Sequence, residues 1–357
     1  MVSNLFKHIL HTKLFHKTLV RTIPKRQNSS KCPLNREDWP CRNQCRVGIV
    51  GLGGVGKSLA HLIKMYPDTI TELRLLNRSD PAGIVEELSH LPTPLPITGV
   101  AGMENLCVGL RDLDIVVITA GGTRKKDAPR DHLFKDNATI CASICKACAE
   151  SCPTALIAIV TNPIDMLVPV AAEVLKKHCC YDPAKLFGLC KLDQLRARHY
   201  FAELVGIDPT TTYVPVVGGH AENTTVPLFS KCRPNIALTP EETTKLIEAV
   251  RTAGKRVVQM KKSSTTYSMA SAAMHFIHKL SRAIRHEPNL IVSGYVESCG
   301  TTARFFSNEL ILGPGGVKTN LGFGDVNEVE RNLIAKAVNV LTKQIKDAEE
   351  FASKLKI

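Results

Sequence analysis

The sequence predicts an α/β protein in which a parallel sheet, covered by helices on both faces, is followed by an α+β domain with antiparallel strands. Short apolar runs alternate with segments of helical period from Cys45 onward, which is typical of strand–helix–strand units. Two runs, DIVVITA at 114–120 and ALIAIVT at 155–161, are apolar on both faces, as strands of a parallel sheet are. The 357 residues are 44% hydrophobic, which suffices for a full core and excludes global disorder.

The predicted elements divide the chain into two halves. In the first half we expect strands at 46–50, 73–76, 114–120 and 155–161, and helices at 55–65 and 137–151. In the second half we expect a helix at 193–204, a strand at 213–217, an interrupted helical zone at 240–283, strands within 290–312 and a closing helix at 328–355. We therefore predict three segments of the chain: an N-terminal segment at 1–36, a first domain at 45–189 and a second domain at 190–357.

Much of the excess positive charge lies in the first 36 residues. The chain has 46 basic and 33 acidic residues, a net charge of +13, and eight of the basic residues but none of the acidic ones precede Glu37. The remaining surplus of five gives no reason to expect a nucleic-acid partner. One helical face near the start carries Leu5, Phe6, Ile9 and Leu10. This acid-free, amphipathic start predicts a mitochondrial transit peptide and a matrix location, with a basic arm that binds anionic surfaces as the alternative.

Membrane insertion is not expected from the sequence. The longest apolar stretch, 155–175, is interrupted by polar residues and prolines, namely Asn162, Pro163, Asp165 and Pro169. A helix interrupted in this way cannot cross a bilayer as one span.

Four cysteines form a C-x3-C-x2-C-x3-C run at Cys141, Cys145, Cys148 and Cys152. Thiolates in such a run can hold an iron–sulfur cluster. The same spacing is one stripe of an α-helix, and cysteine is commonly a small buried hydrophobe. Because a rigid helix does not wrap several thiolates around one cluster, the spacing favours a buried stripe, and we expect no metal.

Gly51-Leu-Gly-Gly-Val-Gly56 is a G-x-G-x-x-G motif that directly follows a predicted strand and opens a helix. Gly51 permits the tight turn, Gly53 lets the backbone approach a pyrophosphate, and Gly56 lets helix and strand pack closely. The N-terminus of the helix supplies N–H groups for the anion. The motif predicts a Rossmann-type dinucleotide-binding domain at 45–189.

Asn77 occupies the position, at the end of the second strand, where an acid that binds the ribose is expected. Arg78 follows it. A neutral side chain next to an arginine is a usual way to accept a 2′-phosphate, so NADP stands beside NAD as a candidate cofactor.

A catalytic group is predicted in the second domain. Asp193 and Arg196 share one helical face, and His220 follows a strand and a glycine pair. A carboxylate on one imidazole nitrogen leaves the other free to transfer a proton. Arg124 and Arg130 lie in a loop after a parallel strand, and three arginines predict a site for a small dianion.

These segments resemble the lactate/malate dehydrogenase family, most closely its mitochondrial malate dehydrogenase branch. ITAGGTRKKDAPRDHLFKDNATI, IVTNPIDML, KLFGLCKLDQLRARHYFAELVGID, VPVVGGHAENT and NLGFGDVNEVERNLIAKA follow the family's order from Arg46 onward. The resemblance implies reversible hydride transfer between malate or oxaloacetate and NAD(H), no metal, and a homodimer.

The resemblance also implies a role for each site residue. His220 would be the general acid/base and Asp193 its partner. Arg196 and Arg124 would bind the proximal and distal substrate carboxylates, and Arg130 would polarise the carbonyl from a mobile loop. Asn162 would orient substrate and nicotinamide, and the remaining cofactor contacts would come from Asn137 and Met269.

Five features depart from the family pattern. They are Asn77, a phosphate turn (Gly51–Gly56) shorter by one residue, Lys126-Asp127-Ala128 in the mobile loop, Glu222 two residues after His220, and a shortened stretch at 262–266. None removes a catalytic group. They leave three hypotheses: an active malate dehydrogenase, a catalytically impaired paralogue with a binding or structural role, and an NADP-preferring 2-hydroxy acid dehydrogenase.

Overall fold

The computed structural model describes residues 44–122 and 130–355, apart from the side chains of residues 130–132. The predicted transit peptide at 1–36, Arg124 and the loop residues 126–128 lie outside the described residues.

The described strands form one continuous sheet whose first half is parallel and whose second half is antiparallel. The strands are β1 (Arg46–Val50), β2 (Glu72–Asn77), β3 (Ile97–Ala101), β4 (Ile115–Ile118), β5 (Leu156–Ile159), β6 (Leu186–Gly188), β7 (Val216–Gly218), β8 (Thr225–Pro227), β9 (Ile291–Glu297), β10 (Phe305–Gly313) and β11 (Gly316–Gly322). Their order is β3-β2-β1-β4-β5-β6-β9-β10-β7-β8, and β11 pairs with β10. The parallel half has the Rossmann order, and the predicted fold class is confirmed.

Helices cover both faces of this sheet. They are α1 (Gly54–Met65), α2 (Ala82–Ser89), α3 (Leu106–Leu110), α4 (Arg130–Ser151), α5 (Ile164–Lys177), α6 (Lys191–Val205), α7 (Pro240–Lys261), α8 (Tyr267–Ile284) and α9 (Glu328–Lys354). Helices α4, α5 and α9 pack together on one face, while α1 and α8 pack on the other.

Alternate residues of each central strand enter different cores. In β4, Val116 and Ile118 join the core under α4 and α5, whereas Ile115 and Val117 join the core under α1 and α8. Successive side chains of a strand point to opposite faces, so a strand buried on both faces must be apolar throughout. This is the physical reason for the uninterrupted apolar runs in the sequence.

The predicted strand at 114–120 is shorter than expected, covering only Ile115–Ile118, and the strand predicted at 213–217 covers Val216–Gly218. The sequence prediction omitted helix α5, because the apolar run 155–175 conceals the boundary between β5 and α5. The helical zone breaks at Lys262, which adopts a left-handed φ of 57° and ends α7.

The cysteine stripe lies along α4 and its C-terminal end. Cys141, Cys145, Cys148 and Cys152 are all buried in the core shared with α5. Burial and a hydrogen bond with Cys141 raise the pKa of Cys145, which keeps this thiol neutral. The stripe therefore packs as apolar surface, as the spacing predicts.

Within the described residues, no helix has the length and apolar character needed to span a membrane.

Arg304, just before β10, joins three elements of the fold. Its guanidinium forms ion pairs with Glu173 of α5, Glu297 of β9 and Glu349 of α9, the first two at 2.7 and 2.9 Å. The Arg304 side chain is only 24% exposed, and its guanidinium lies 4.7 Å from the ring centroid of Phe305. One cation thus holds three carboxylates that would otherwise repel one another.

We predict that Arg304→Met lowers the free energy of unfolding by about 2–4 kcal/mol, because three partly buried carboxylates lose their common partner. Urea unfolding at pH 7 measures this change. Lys354→Met is the matched control, since the Lys354–Glu350 pair is exposed and screened by solvent, so its loss should leave the free energy of unfolding nearly unchanged. Equal unfolding free energies for the two variants would contradict the prediction.

Candidate active site

The glycine motif forms the turn between β1 and α1. Gly51 has a φ of 100°, and a Cβ atom there would lie 2.4 Å from the main chain of Ala120. A Cβ atom on Gly56 would lie 2.0 Å from the carbonyl oxygen of Gly51, whereas one on Gly53 would face open space. No side chain caps the helix at Gly53. The turn therefore packs tightly on the sheet and leaves an open, uncapped helix N-terminus that fits a pyrophosphate.

Asn77 contacts this turn from the end of β2. Its Oδ1 accepts a hydrogen bond from the N–H of Leu52 at 3.1 Å, and its Nδ2 donates one to the carbonyl of Ser79 at 3.0 Å. Arg78 beside it is exposed. A neutral side chain and an adjacent cation thus lie next to the phosphate turn.

Asn137 connects the loops that follow β4 and β5. Its side chain is buried; Oδ1 accepts a hydrogen bond from the N–H of Gly122 at 2.8 Å, and Nδ2 donates one to the carbonyl of Asn162 at 2.7 Å. Asn162 itself is exposed, directly beyond the end of β5. Asn137 therefore joins the segments that follow β4 and β5 through hydrogen bonds to their main chain.

His220 and Asp193 form a close pair. The Nδ1 atom of His220 lies 2.5 Å from Oδ2 of Asp193, and the two side chains are 9% and 4% exposed. Asp193 lies in the first turn of α6, and His220 follows β7 and a glycine pair. With Nδ1 donating to the carboxylate, Nε2 of the ring is left to exchange a proton with a substrate.

Several groups set the pKa of His220. Burial lowers this pKa, but the charge of Asp193 and its hydrogen bond raise it, and the charge of Asp165 raises it further. Arg196 opposes them, and the net result is a pKa above the ordinary value of a histidine. The site therefore makes the imidazolium form more favourable than it is in an ordinary histidine, despite the burial of the ring.

Arg196 shares the Asp193 carboxylate with His220. An Nη atom of Arg196 lies 3.2 Å from Oδ1 of Asp193, and the arginine side chain is 16% exposed. Gly254 of α7 faces the guanidinium, where a Cβ atom would lie 3.5 Å from the second Nη atom. One carboxylate thus fixes both an acid/base group and a cation that suits a substrate carboxylate.

Asp165 is a member of the site that the sequence prediction gave no role. It is 2% exposed, and its carboxylate accepts hydrogen bonds from the main-chain N–H groups of His220 and Ala221 and from the hydroxyl of Thr224. The sequence did contain a signal for this residue, namely a carboxylate within the apolar stretch 155–175. A charge buried there requires hydrogen-bond partners.

Cys190 completes a set with Asp193 and His220 whose potential ligand atoms lie within 4.8 Å of one another. Burial and the nearby carboxylates raise the pKa of Cys190 well above that of a free thiol. A protonated thiol is a poor metal ligand, and the facing atoms of His220 and Asp193 already bond to each other. The set therefore suits proton transfer better than metal binding.

The other predicted site residues have diverse placements. Met269 is buried in the core near the start of α8, Glu222 is exposed, and Arg130 begins α4 although its side chain lies outside the described residues. The shortened stretch 262–266 ends at Thr266, whose Cγ2 atom would lie 2.7 Å from a Cβ atom on Gly54. The shortened stretch therefore packs against the start of α1.

Comparison with known proteins agrees with this arrangement. Family models described as the NAD binding domain and the alpha/beta C-terminal domain of lactate/malate dehydrogenase match residues 45–188 and 190–352. The mitochondrial malate dehydrogenases of Felis catus, Sus scrofa and Homo sapiens are each 39% identical over 318 residues, which is 88% of this chain and 94% of each relative.

Solved structures agree in fold. The apo malate dehydrogenase of Picrophilus torridus matches with a TM-score of 0.76 at 21% identity, over 87% of this chain and 99% of that one. A lactate dehydrogenase of Eimeria maxima with NADH and oxamate matches with a TM-score of 0.74 at 19% identity, over 88% and 98% of the two chains. The extent of the family match and the identity to the curated relatives lead to one conclusion: this chain belongs to the lactate/malate dehydrogenase family.

Proposed function

We propose that this protein is a malate dehydrogenase that interconverts malate and oxaloacetate. The observation that carries the proposal is the carboxylate of Asp193, which bonds to His220 and Arg196 at once and so joins a proton-transfer group to a carboxylate-binding cation. The curated relatives, at 39% identity, are named malate dehydrogenases, which favours this substrate over lactate.

In the proposed reaction, His220 accepts the hydroxyl proton of malate at Nε2, and it returns a proton to the carbonyl oxygen of oxaloacetate. Asp193 holds Nδ1–H and stabilises the imidazolium. NAD(H), when bound at the turn formed by Gly51, Gly53 and Gly56, would supply the hydride chemistry at the substrate's C2 atom. Burial of the pair limits the water that competes for the same proton.

Arginines would define the substrate. Arg196 would bind the carboxylate next to the reacting carbon through its guanidinium fork. We assign Arg124 to the distal carboxylate, Arg130 to the substrate carbonyl from a closing loop, and Asn162 to orientation of substrate and nicotinamide. A second carboxylate-binding arginine is what would distinguish a four-carbon dicarboxylate from lactate.

The cofactor proposed is NAD, held by Gly51, Gly53 and Gly56 with further contacts from Asn137 and Met269. The match of residues 45–188 to an NAD binding domain supports this choice. Asn77 and the exposed Arg78 favour a second candidate, an enzyme that prefers NADP, because no carboxylate at this position repels a 2′-phosphate.

Domain division, assembly and location complete the proposal. We assign dinucleotide binding to residues 45–189, catalysis to 190–357 and mitochondrial targeting to 1–36, with the matrix as destination. We also propose a homodimer, which the resemblance to the family implies. An impaired paralogue remains the alternative, favoured by Asn77 and Glu222.

We predict that protein lacking residues 1–36 oxidises NADH with oxaloacetate far faster than with pyruvate, since a dicarboxylate matches the arginine set. His220→Asn should reduce kcat by about 10²–10⁴-fold, because the proton donor is lost. Absorbance of NADH at 340 nm measures both results. Absence of turnover with NADH and NADPH at high concentration would favour the impaired paralogue.

The pH dependence should follow His220. Because the pKa of His220 is raised, oxaloacetate reduction should decline only at a pH above the range in which an ordinary histidine loses its proton, as the imidazolium is lost. Malate oxidation needs the neutral ring and should increase over the same range. Initial rates of both directions from pH 5 to 10 test this. A reduction rate that rises with pH would contradict it.

Asn77→Asp should move cofactor preference towards NADH. Aspartate can still accept the Leu52 N–H bond, while its charge repels a 2′-phosphate. We expect the ratio of kcat/KM for NADH to that for NADPH to increase by about tenfold or more, that is about 1.4 kcal/mol. Arg78→Ala is the companion variant and should weaken NADPH alone. An unchanged ratio in both variants would exclude this pair as the determinant.

A further inference from the structure

Asp165 is a buried carboxylate in the first turn of α5 that the proposed proton transfer does not itself use. We infer that Asp165 is the positioning residue of the catalytic loop, and that it fixes the main chain at 219–224 so that Nε2 of His220 faces the substrate. This inference rests on the proposed function, because it concerns the same histidine.

The carboxylate of Asp165 organises the loop by direct hydrogen bonds. Oδ1 accepts the N–H of His220 at 2.7 Å, while Oδ2 accepts the hydroxyl of Thr224 at 2.7 Å and the N–H of Ala221 at 3.3 Å. The N–H of Ala221 also donates to Oγ1 of Thr224 at 2.9 Å. Both carboxylate oxygens thus act as acceptors, which is the arrangement that an ionised carboxylate satisfies.

The glycine pair before His220 makes this approach sterically feasible. A Cβ atom on Gly219 would lie 2.5 Å from Oδ2 of Asp165 and 2.4 Å from Oγ1 of Thr224. Gly218 has a φ of 101°, and a Cβ atom there would lie 2.0 Å from the carbonyl oxygen of Thr224. Any larger residue would push the loop away from the carboxylate, so these glycines and Asp165 form one unit.

Asp165 also joins the two halves of the sheet at the site. It follows β5 of the parallel half, whereas the loop it holds connects β7 and β8 of the antiparallel half. The hydroxyl of the fully buried Tyr295, on β9, donates to the carbonyl of Asp165 at 3.3 Å. The main-chain carbonyl of Asp165 therefore bonds to the core strand β9, while its carboxylate bonds to the loop at 219–224.

The charge of Asp165 reaches the imidazole as well. Among the described residues, the charges that act on His220 are those of Asp193, Asp165 and Arg196: burial and the arginine lower its pKa, while the two carboxylates raise it. Removal of the Asp165 charge should thus lower the pKa of His220, an effect that loss of packing alone would not produce.

The test compares four variants of the full chain. Asp165→Asn should lower kcat by about ten- to hundredfold, because a small displacement of the acid/base group is costly. Its pH profile for oxaloacetate reduction should shift to lower pH. Thr224→Val keeps the charge but removes one bond, so it should lower kcat by about fivefold without a pH shift, and Thr224→Ser should restore the rate.

Glu330→Gln is the matched control. Glu330 is a buried carboxylate, 1% exposed, that also holds a loop, through the N–H and hydroxyl of Ser230, the former at 2.9 Å. Its neutralisation should cost stability in the same way but leave kcat and the pH profile unchanged. If Asp165→Asn behaves like Glu330→Gln, the inference is overturned.

A readout independent of turnover separates this inference from the proposed function. In protein labelled with ¹⁵N-histidine, His220→Gln identifies the amide and ring signals of His220 by their loss. In Asp165→Asn, the pKa of the ring should decrease and the amide signal should move upfield, even if no substrate is turned over. An unchanged ring pKa and amide signal in Asp165→Asn would overturn the inference. If both signals change but the unsubstituted protein shows no turnover, only the proposed function is overturned.

Discussion

The site depends on one geometric constraint, the common edge at which the parallel strands end. At that edge the hydroxyl of Thr119 donates to the carbonyl of Gly51 at 2.5 Å, joining the loops after β4 and β1. Asn137 joins the loop after β4 to the segment after β5. Because each loop bonds to its neighbour, the turn at Gly51–Gly56, the loop after β4 and the segment between β5 and α5 form one continuous surface. Asp165 extends this surface to the histidine loop.

Electrostatic balance at His220 follows from the same placement. A buried imidazole would ordinarily be neutral, since burial disfavours its charged form. The charges of two carboxylates, Asp193 from α6 and Asp165 from α5, outweigh this effect and raise the pKa of His220 above its ordinary value. They lie in the first turns of two helices that follow the neighbouring strands β5 and β6, so the proton affinity of the histidine depends on the correct packing of both helices.

The sequence predicted the parts of the fold that have a strong local period. The turn at Gly51–Gly56 and strand β1 lie where expected, since glycine spacing and an apolar run are local signals. Helix α5 was missed because its apolar residues continue those of β5. Short strands such as β6, three residues long, have no period to detect. The role of Asp165 was also missed, because its partners are 55 and more residues away.

The sequence by itself determined the α/β fold, the phosphate turn, the asparagine in place of an acid at position 77, and the candidate catalytic residues. Each rests on residue type or on spacing between near neighbours, and local sterics and hydrophobic periodicity are encoded there. Only the tertiary structure decided that the carboxylate of Asp193 bonds to His220 and Arg196 together, that Asn77 bonds to the turn at Gly51–Gly56, and that Asp165 bonds to the loop that carries His220. These are contacts between distant segments, and they exist only after burial has brought the strand ends together and obliged each buried polar group to find a partner.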